Sequence, residues 1–260
     1  MRSFAFSIAY WALSIVYGLA AAFAALAPGR GATSWIIRRY VRRMVQAMRL
    51  FAGIKIEARG KEGLPPGAFI IASKHQSWGD GFATYDQFDD VAFVTGDHLE
   101  KFPLLGTVLR KLGAIVVNSC GGHTARAALK ERAADAHREG RKILIYPEGH
   151  LAKVGEKFRY RSGVWHMYRD FDMPVVPLAT NLGLFWPLDG FEKHPGTATL
   201  EFLEPIPTGL AKDEFLARLE AAVEGKTAEL IAEATGQPIT HAIQVPPPNE
   251  APLATAAAAA

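Results

Sequence analysis

Three apolar runs that each close on polar residues restrict this chain to few architectures. Ala68-Phe69-Ile70-Ile71-Ala72-Ser73 leads directly into Lys74-His75-Gln76-Ser77-Trp78-Gly79-Asp80. Ile143-Leu144-Ile145-Tyr146 ends in the turn Pro147-Glu148-Gly149, and Pro174-Val175-Val176-Pro177-Leu178-Ala179-Thr180 ends at Asn181. Runs this short and this apolar, bounded by turn residues, read as buried strands. Further strands are expected at 54–58, 91–95, 114–117 and 197–203, with 142–146 as the full extent of the second run. Helical stretches at 124–138, 163–169 and 212–233 fall between several of them. The alternation predicts an α/β fold, a mixed central sheet flanked by helices, preceded by an N-terminal membrane-associated helical element. Ligands of such sheets sit at the C-terminal ends of the strands, so the three polar exits can converge on one pocket.

His75 and Asp80 are the candidate base and its orienting carboxylate. An imidazole ordinarily titrates near pH 6.5, so it can take a hydroxyl proton near neutrality once a carboxylate fixes its tautomer. Five positions along a continuous helix subtend about 140°. The two side chains therefore meet only if His75 lies on a turn and the helix begins after it. Taken alone, the spacing fits a capped helix start with a polar histidine equally well.

The N-terminus carries a second constraint. No charged residue occurs from position 3 to position 29, and the run is rich in Ala, Leu, Ile, Phe, Tyr and Trp. About 20 apolar residues suffice to span a bilayer core. A cleaved signal peptide is the competing reading, with Phe23-Ala24-Ala25-Leu26-Ala27 as its small-residue site. The run is longer than a usual signal core of about 7 to 15 residues, and its basic residues follow it, which favours an uncleaved anchor. Arg30, Arg38, Arg39, Arg42, Arg43 and Arg49 form that basic cluster and place the globular part in the cytoplasm. Over 35–51, Ile37, Val41, Met44, Met48 and Phe51 recur at helical spacing between the arginines. Such a helix either lies in the membrane interface or docks on the protein's own core. Domain organisation follows: 1–53 as membrane anchor and interfacial helix, 54–235 as one catalytic domain, and 236–260 as a Pro- and Ala-rich tail expected to lack fixed structure.

The 260 residues, 49% of them hydrophobic, can bury one sizeable core. A formal charge of +3 is too small to imply a nucleic-acid partner. The single cysteine, Cys120, excludes an intrachain disulfide and offers no metal-site spacing. Asn118-Ser119-Cys120-Gly121-Gly122 leads into a helix and could hold a phosphate, although a plain loop fits equally. Phe185-Trp186-Pro187-Leu188 either lines an apolar ligand tunnel or completes the core.

Between about residues 54 and 230 these motifs resemble the lysophosphatidic acid acyltransferase (1-acylglycerol-3-phosphate O-acyltransferase) family of glycerolipid acyltransferases. The family's first motif, a His and an Asp with four residues between them, is matched by His75 and Asp80. Tyr146-Pro147-Glu148-Gly149-His150-Leu151 matches in part its Phe-Pro-Glu-Gly-Thr-Arg motif, Tyr160-Arg161-Ser162-Gly163 resembles its Tyr/Phe-Lys-x-Gly element, and Val176-Pro177-Leu178 its Val-Pro-Val strand. The resemblance implies a fatty acyl transfer from an acyl-CoA or acyl carrier protein thioester to a lysolipid hydroxyl, with no permanently bound cofactor and membrane lipids as partners. It implies His75 as general base, Asp80 as its orienter, and Glu148 and Gly149 as contacts to the acceptor.

Two arginines that the family associates with the acceptor's phosphate are absent, since Ser119 and Leu151 stand in their places. Lys153, Arg159 and Arg161 lie shortly downstream and can replace that charge. Two acceptors stay open, 1-acylglycerol-3-phosphate and a lysolipid without a terminal phosphate such as a lyso-aminolipid. A catalytically silent lipid-binding relative is a further alternative, which retention of both His75 and Asp80 disfavours. An exported hydrolase would need Ser77 or Ser162 as nucleophile, and no Gly-x-Ser-x-Gly elbow supports it.

Overall fold

The computed structural model describes residues 1–117, 123–238 and 243–245. Ser119 and Cys120, with the rest of the expected 118–122 turn, lie outside the described residues, as does most of the tail. Seven strands form one sheet: β1 (Ile54–Arg59), β2 (Ile70–Ser73), β3 (Val91–Gly96), β4 (Ile115–Val117), β5 (Lys142–Ile145), β7 (Val175–Thr180) and β8 (Gly196–Phe202). Each falls on an expected run, with ends shifted by a residue or two. Their order across the sheet is β1-β8-β7-β2-β5-β3-β4. All pairings are parallel except β7 with β8, so the sheet is mixed. The tail expected to lack structure contributes one short strand, β9 (Ile243–Gln244), which pairs in parallel with β6 (Glu156–Lys157).

Successive residues of β2 face opposite sides, as strand geometry requires. Ile71 joins one core with Val176, Leu144 and the helices α1 (Arg2–Ala24) and α2 (Gly31–Ala47). Ile70 and Ala72 join the other, covered by α5 (His123–Arg138), α6 (Gly163–Phe171) and α7 (Lys212–Thr235). α7 carries Asp213 and Glu214 in its first turn, where they complement the helix dipole, and ends on left-handed Gly236. The short helices α3 (Asp80–Tyr85) and α4 (Pro103–Lys111) flank β3 in sequence. α4 opens on a proline at its first turn, a start signal that the apolar periodicity alone does not reveal.

The N-terminal helices divide their apolar residues otherwise than the sequence suggests. The α2 stripe of Val41 and Met44, continued by Met48, is buried against the protein's own core, so this helix docks inward, while Trp35 near its start and Leu50 and Phe51 beyond its end stay exposed. Burying those side chains against the sheet satisfies them without a membrane. A longer exposed apolar stripe belongs to α1, where Phe4, Ile8, Trp11, Ile15, Leu19 and Phe23 project outward at spacings of three and four. The opposite side of α1 packs along its length: Phe6 lies edge-on to Trp186 at 5.0 Å, Tyr10 edge-on to Phe82 at 6.5 Å, and Ser14 Oγ hydrogen-bonds Tyr40 at 2.8 Å. Trp186 is buried and joins this core, which resolves the 185–188 segment as packing.

Candidate active site

β7, β2 and β5 lie side by side and parallel, so the three polar exits open at one edge of the sheet. His75 sits on the turn after β2, and α3 begins at Asp80, the arrangement under which the pair can meet. His75 Nδ1 is 3.0 Å from Asp80 Oδ2. The same oxygen accepts the backbone N–H groups of Gln76 (2.7 Å) and Ser77 (2.8 Å), which fixes the carboxylate before any substrate arrives. A carboxylate only accepts, so Nδ1 carries the hydrogen and Nε2 presents its lone pair. Asp80 is buried, whereas the His75 side chain keeps 21% of its surface exposed. One end of the pair is thus dry and the other is open to a substrate.

Tyr146, at the end of β5, stacks on the imidazole with ring centroids 3.8 Å apart and planes 14° from parallel. Burial, with the Asp80 charge adding to it, pushes the Tyr146 hydroxyl well above its ordinary value, so the ring stays neutral. His75 O also accepts the N–H of Ala152 at 2.8 Å, tying the loop after Glu148 to the catalytic turn.

Glu148, expected from the sequence to contact the acceptor, is turned into the protein. It is fully buried, and its Oε2 accepts Lys74 Nζ (3.0 Å) and the N–H of Phe158 (2.8 Å). Lys74 Nζ also bonds Glu224 Oε1 of α7 (2.9 Å) and Glu156 O (3.0 Å), and Tyr160 donates its hydroxyl to Glu224 (2.9 Å). Burial lifts the Glu148 carboxyl to about 7; Glu224 adds to the shift and Lys74 opposes it. The acidic residue of this turn therefore holds the scaffold together. Lys74 points inward and His75, its neighbour, points to the open side. Sequence reasoning missed this network because Glu224 lies 150 positions from Lys74 and nothing local marks it. A lysine directly after an apolar strand was the one available signal.

The other candidates separate. Gly149 adopts a left-handed φ of +69°, and a Cβ there would stand 2.8 Å from Arg161 Nε. Arg161 thus lies over the Pro147-Glu148-Gly149 turn, where its Nη2 donates to His150 Nε2 at 2.7 Å. Lys153 is held by Asp189 at 2.6 Å, and Arg159 is exposed on the strand-side loop. Asn181 is spent on the scaffold, accepting from Thr199 N and donating to Leu230 O. Ser77 is no nucleophile: it is buried, and its hydroxyl donates to Trp186 O while accepting from Gly79 N.

Residues 55–181 match the family model described as Acyltransferase. Over 250 residues the chain is 27% identical to the 1-acyl-sn-glycerol-3-phosphate acyltransferase of Pseudomonas aeruginosa, covering 96% of each protein. It is 25% identical to 1-acyl-sn-glycerol-3-phosphate acyltransferase beta of Homo sapiens over 63% of this chain and 60% of that one. Its fold superimposes, with a TM-score of 0.69 at 20% identity, on the crystal structure of the 1-acyl-sn-glycerophosphate (LPA) acyltransferase PlsC from Thermotoga maritima, over 89% and 95% of the two chains. The sequence is similar to glycerolipid acyltransferases, and the fold is the one seen in the Thermotoga maritima structure. The chain is an acyltransferase, and the relatives named here are 1-acyl-sn-glycerol-3-phosphate acyltransferases.

Proposed function

We propose that this enzyme transfers a fatty acyl group from acyl-CoA or acyl carrier protein to the hydroxyl of 1-acylglycerol-3-phosphate, at the cytoplasmic face of the cell membrane. The observation that carries the reading is the His75–Asp80 pair, with an open Nε2 beside the exposed edge of the sheet. His75 Nε2 takes the hydroxyl proton while the oxygen attacks the thioester carbonyl. The tetrahedral adduct then expels the thiolate, which receives that proton back from the imidazolium. Asp80 stabilises the imidazolium between the two transfers, so no acyl-enzyme is needed. General-base assistance of this kind contributes about 10² to 10⁴-fold in rate.

Arg161 supports a phosphorylated acceptor, because its planar fork lies over the turn tied to His75. The exposed stripe of α1 supports membrane association, with the helix docked flat along the protein and half immersed. The test is a purified enzyme assayed on 1-acylglycerol-3-phosphate and on a lyso-aminolipid side by side. Arg161→Ala should raise KM for the phosphorylated acceptor by about one to two decades and leave KM for the thioester unchanged. Efficient use of the aminolipid, with Arg161→Ala indifferent, would overturn the acceptor assignment.

A further inference from the structure

α1 runs from one edge of the sheet to the other. Its first turns lie at the active-site edge, where Ser3 Oγ accepts the N–H of Lys193 (2.9 Å) and Phe6 packs on Trp186, whose carbonyl holds Ser77. Just past its C-terminus, Ala27 O accepts Lys111 Nζ, and Arg30 pairs with Asp90 (2.6 Å) and Glu139 (2.9 Å). Asp90, Gly113 and Arg141 each stand just before or near the start of β3, β4 and β5, so this end faces away from His75. A 23-residue helix separates the two ends by about 34 Å.

At the far end lies a pocket of about 320 Å3 lined by six cations, Arg30, Arg110, Lys111, Arg132, Arg138 and Arg141, against two carboxylates. Arg141 is 5% exposed; its Nη2 donates to Leu112 O (2.9 Å) and Asp90 (3.1 Å), while its Nε is buried without a partner among the described residues. Arg138 is neutralised by Asp135. Lys111 and Arg132 form no ion pair among the described residues, and Arg132 makes only a long 3.5 Å contact to Ala114 O. Lys111 and Arg132, converging on a concave site beside four arginines that are already ion-paired, fit a phosphate group, whose oxygens match a guanidinium fork and a lysine point charge. Exposed apolar residues lie close by: Leu26 neighbours Ala27, whose carbonyl accepts Lys111, and Trp35 lines an adjoining pocket that shares Arg30.

We propose that this pocket binds the phosphate of an anionic lipid headgroup and so fixes the second end of α1 on the membrane, a helix length from the active site. The inference rests on the membrane reading of α1. Leu26 and Trp35 favour a headgroup over a soluble anion, since they would meet acyl chains beside the bound phosphate.

The full chain is floated on phosphatidylcholine vesicles and on vesicles that also contain phosphatidylglycerol, while amide hydrogen exchange is followed over residues 109–114. Inorganic phosphate at the same phosphate concentration is the soluble arm. The pocket variant Lys111→Gln/Arg132→Gln removes two cations without orphaning a carboxylate, and the charge-matched control is Arg39→Gln/Arg43→Gln on the exposed side of α2. We expect phosphatidylglycerol vesicles to protect 109–114 more than inorganic phosphate does, and the pocket variant to lose at least about tenfold more preference for the anionic vesicles than the control. Equal losses in the two variants would overturn the site in favour of diffuse surface charge. Equal protection by inorganic phosphate would overturn the lipid assignment. Wild-type protein that floats on neither vesicle defeats the membrane reading itself, whereas flotation on both without protection defeats only the pocket.

Discussion

His75 owes its orientation to its neighbours in the chain. Lys74 turns inward to a buried carboxyl, and Gln76 and Ser77 donate their amides to the carboxylate that holds the imidazole. His75→Ala should therefore lower kcat by at least about 10²-fold with an unchanged melting curve; near-normal turnover in a folded variant would remove its role as base. Asp80→Asn should act in the same direction, because an amide cannot stabilise the imidazolium as a carboxylate does. Glu148 makes a separate prediction. Its carboxyl is raised from an ordinary 4.5 to about 7 by burial, so the folded chain binds that proton more tightly than the unfolded one. The stability this contributes is complete below about pH 4.5 and is lost as pH rises through about 7. Denaturant melts across that window should show wild type losing stability with rising pH relative to Glu148→Gln, and a pH-independent difference would refute the assignment.

α1 presents two faces with different duties. Ile8 and Ile15 are each 57% exposed, whereas Phe6 is 1% exposed against Trp186. Ile8→Asp/Ile15→Asp should abolish most vesicle flotation while changing unfolding free energy by no more than about 1 kcal/mol. Phe6→Ala should cost about 3 to 5 kcal/mol and leave the exposed face intact. A double Asp variant that floats as well as wild type would show that α1 is not the docking element. Both faces were written in the sequence as an uncharged apolar run. Which residues face inward was not, because a helix apolar all round carries no amphipathic signal to orient it.

Lys74 ties four distant segments into one unit: the catalytic turn, the Pro147-Glu148-Gly149 turn, β6 and α7. Removing it strands two carboxyls away from water, so Lys74→Met should cost about 3 to 5 kcal/mol near neutral pH. Urea melts should show that cost shrinking in acid as the carboxyls take up protons; a loss below about 1 kcal/mol at neutral pH would show the network to be incidental. The strands, their order along the chain, and the His75–Asp80 pair were legible because period and spacing are local properties, set within a few residues. The pair's geometry needed only a turn and a helix start, both encoded between residues 73 and 80. Stacking of Tyr146 on His75, the burial of Glu148, the inward docking of α2 and the arginine pocket were decided by tertiary structure alone. Each depends on segments brought together by a parallel sheet whose neighbours in space, such as β2 and β5, are separated along the chain by two other strands and their helices. Burial and charge pairing are properties of that proximity, and no local pattern carries them.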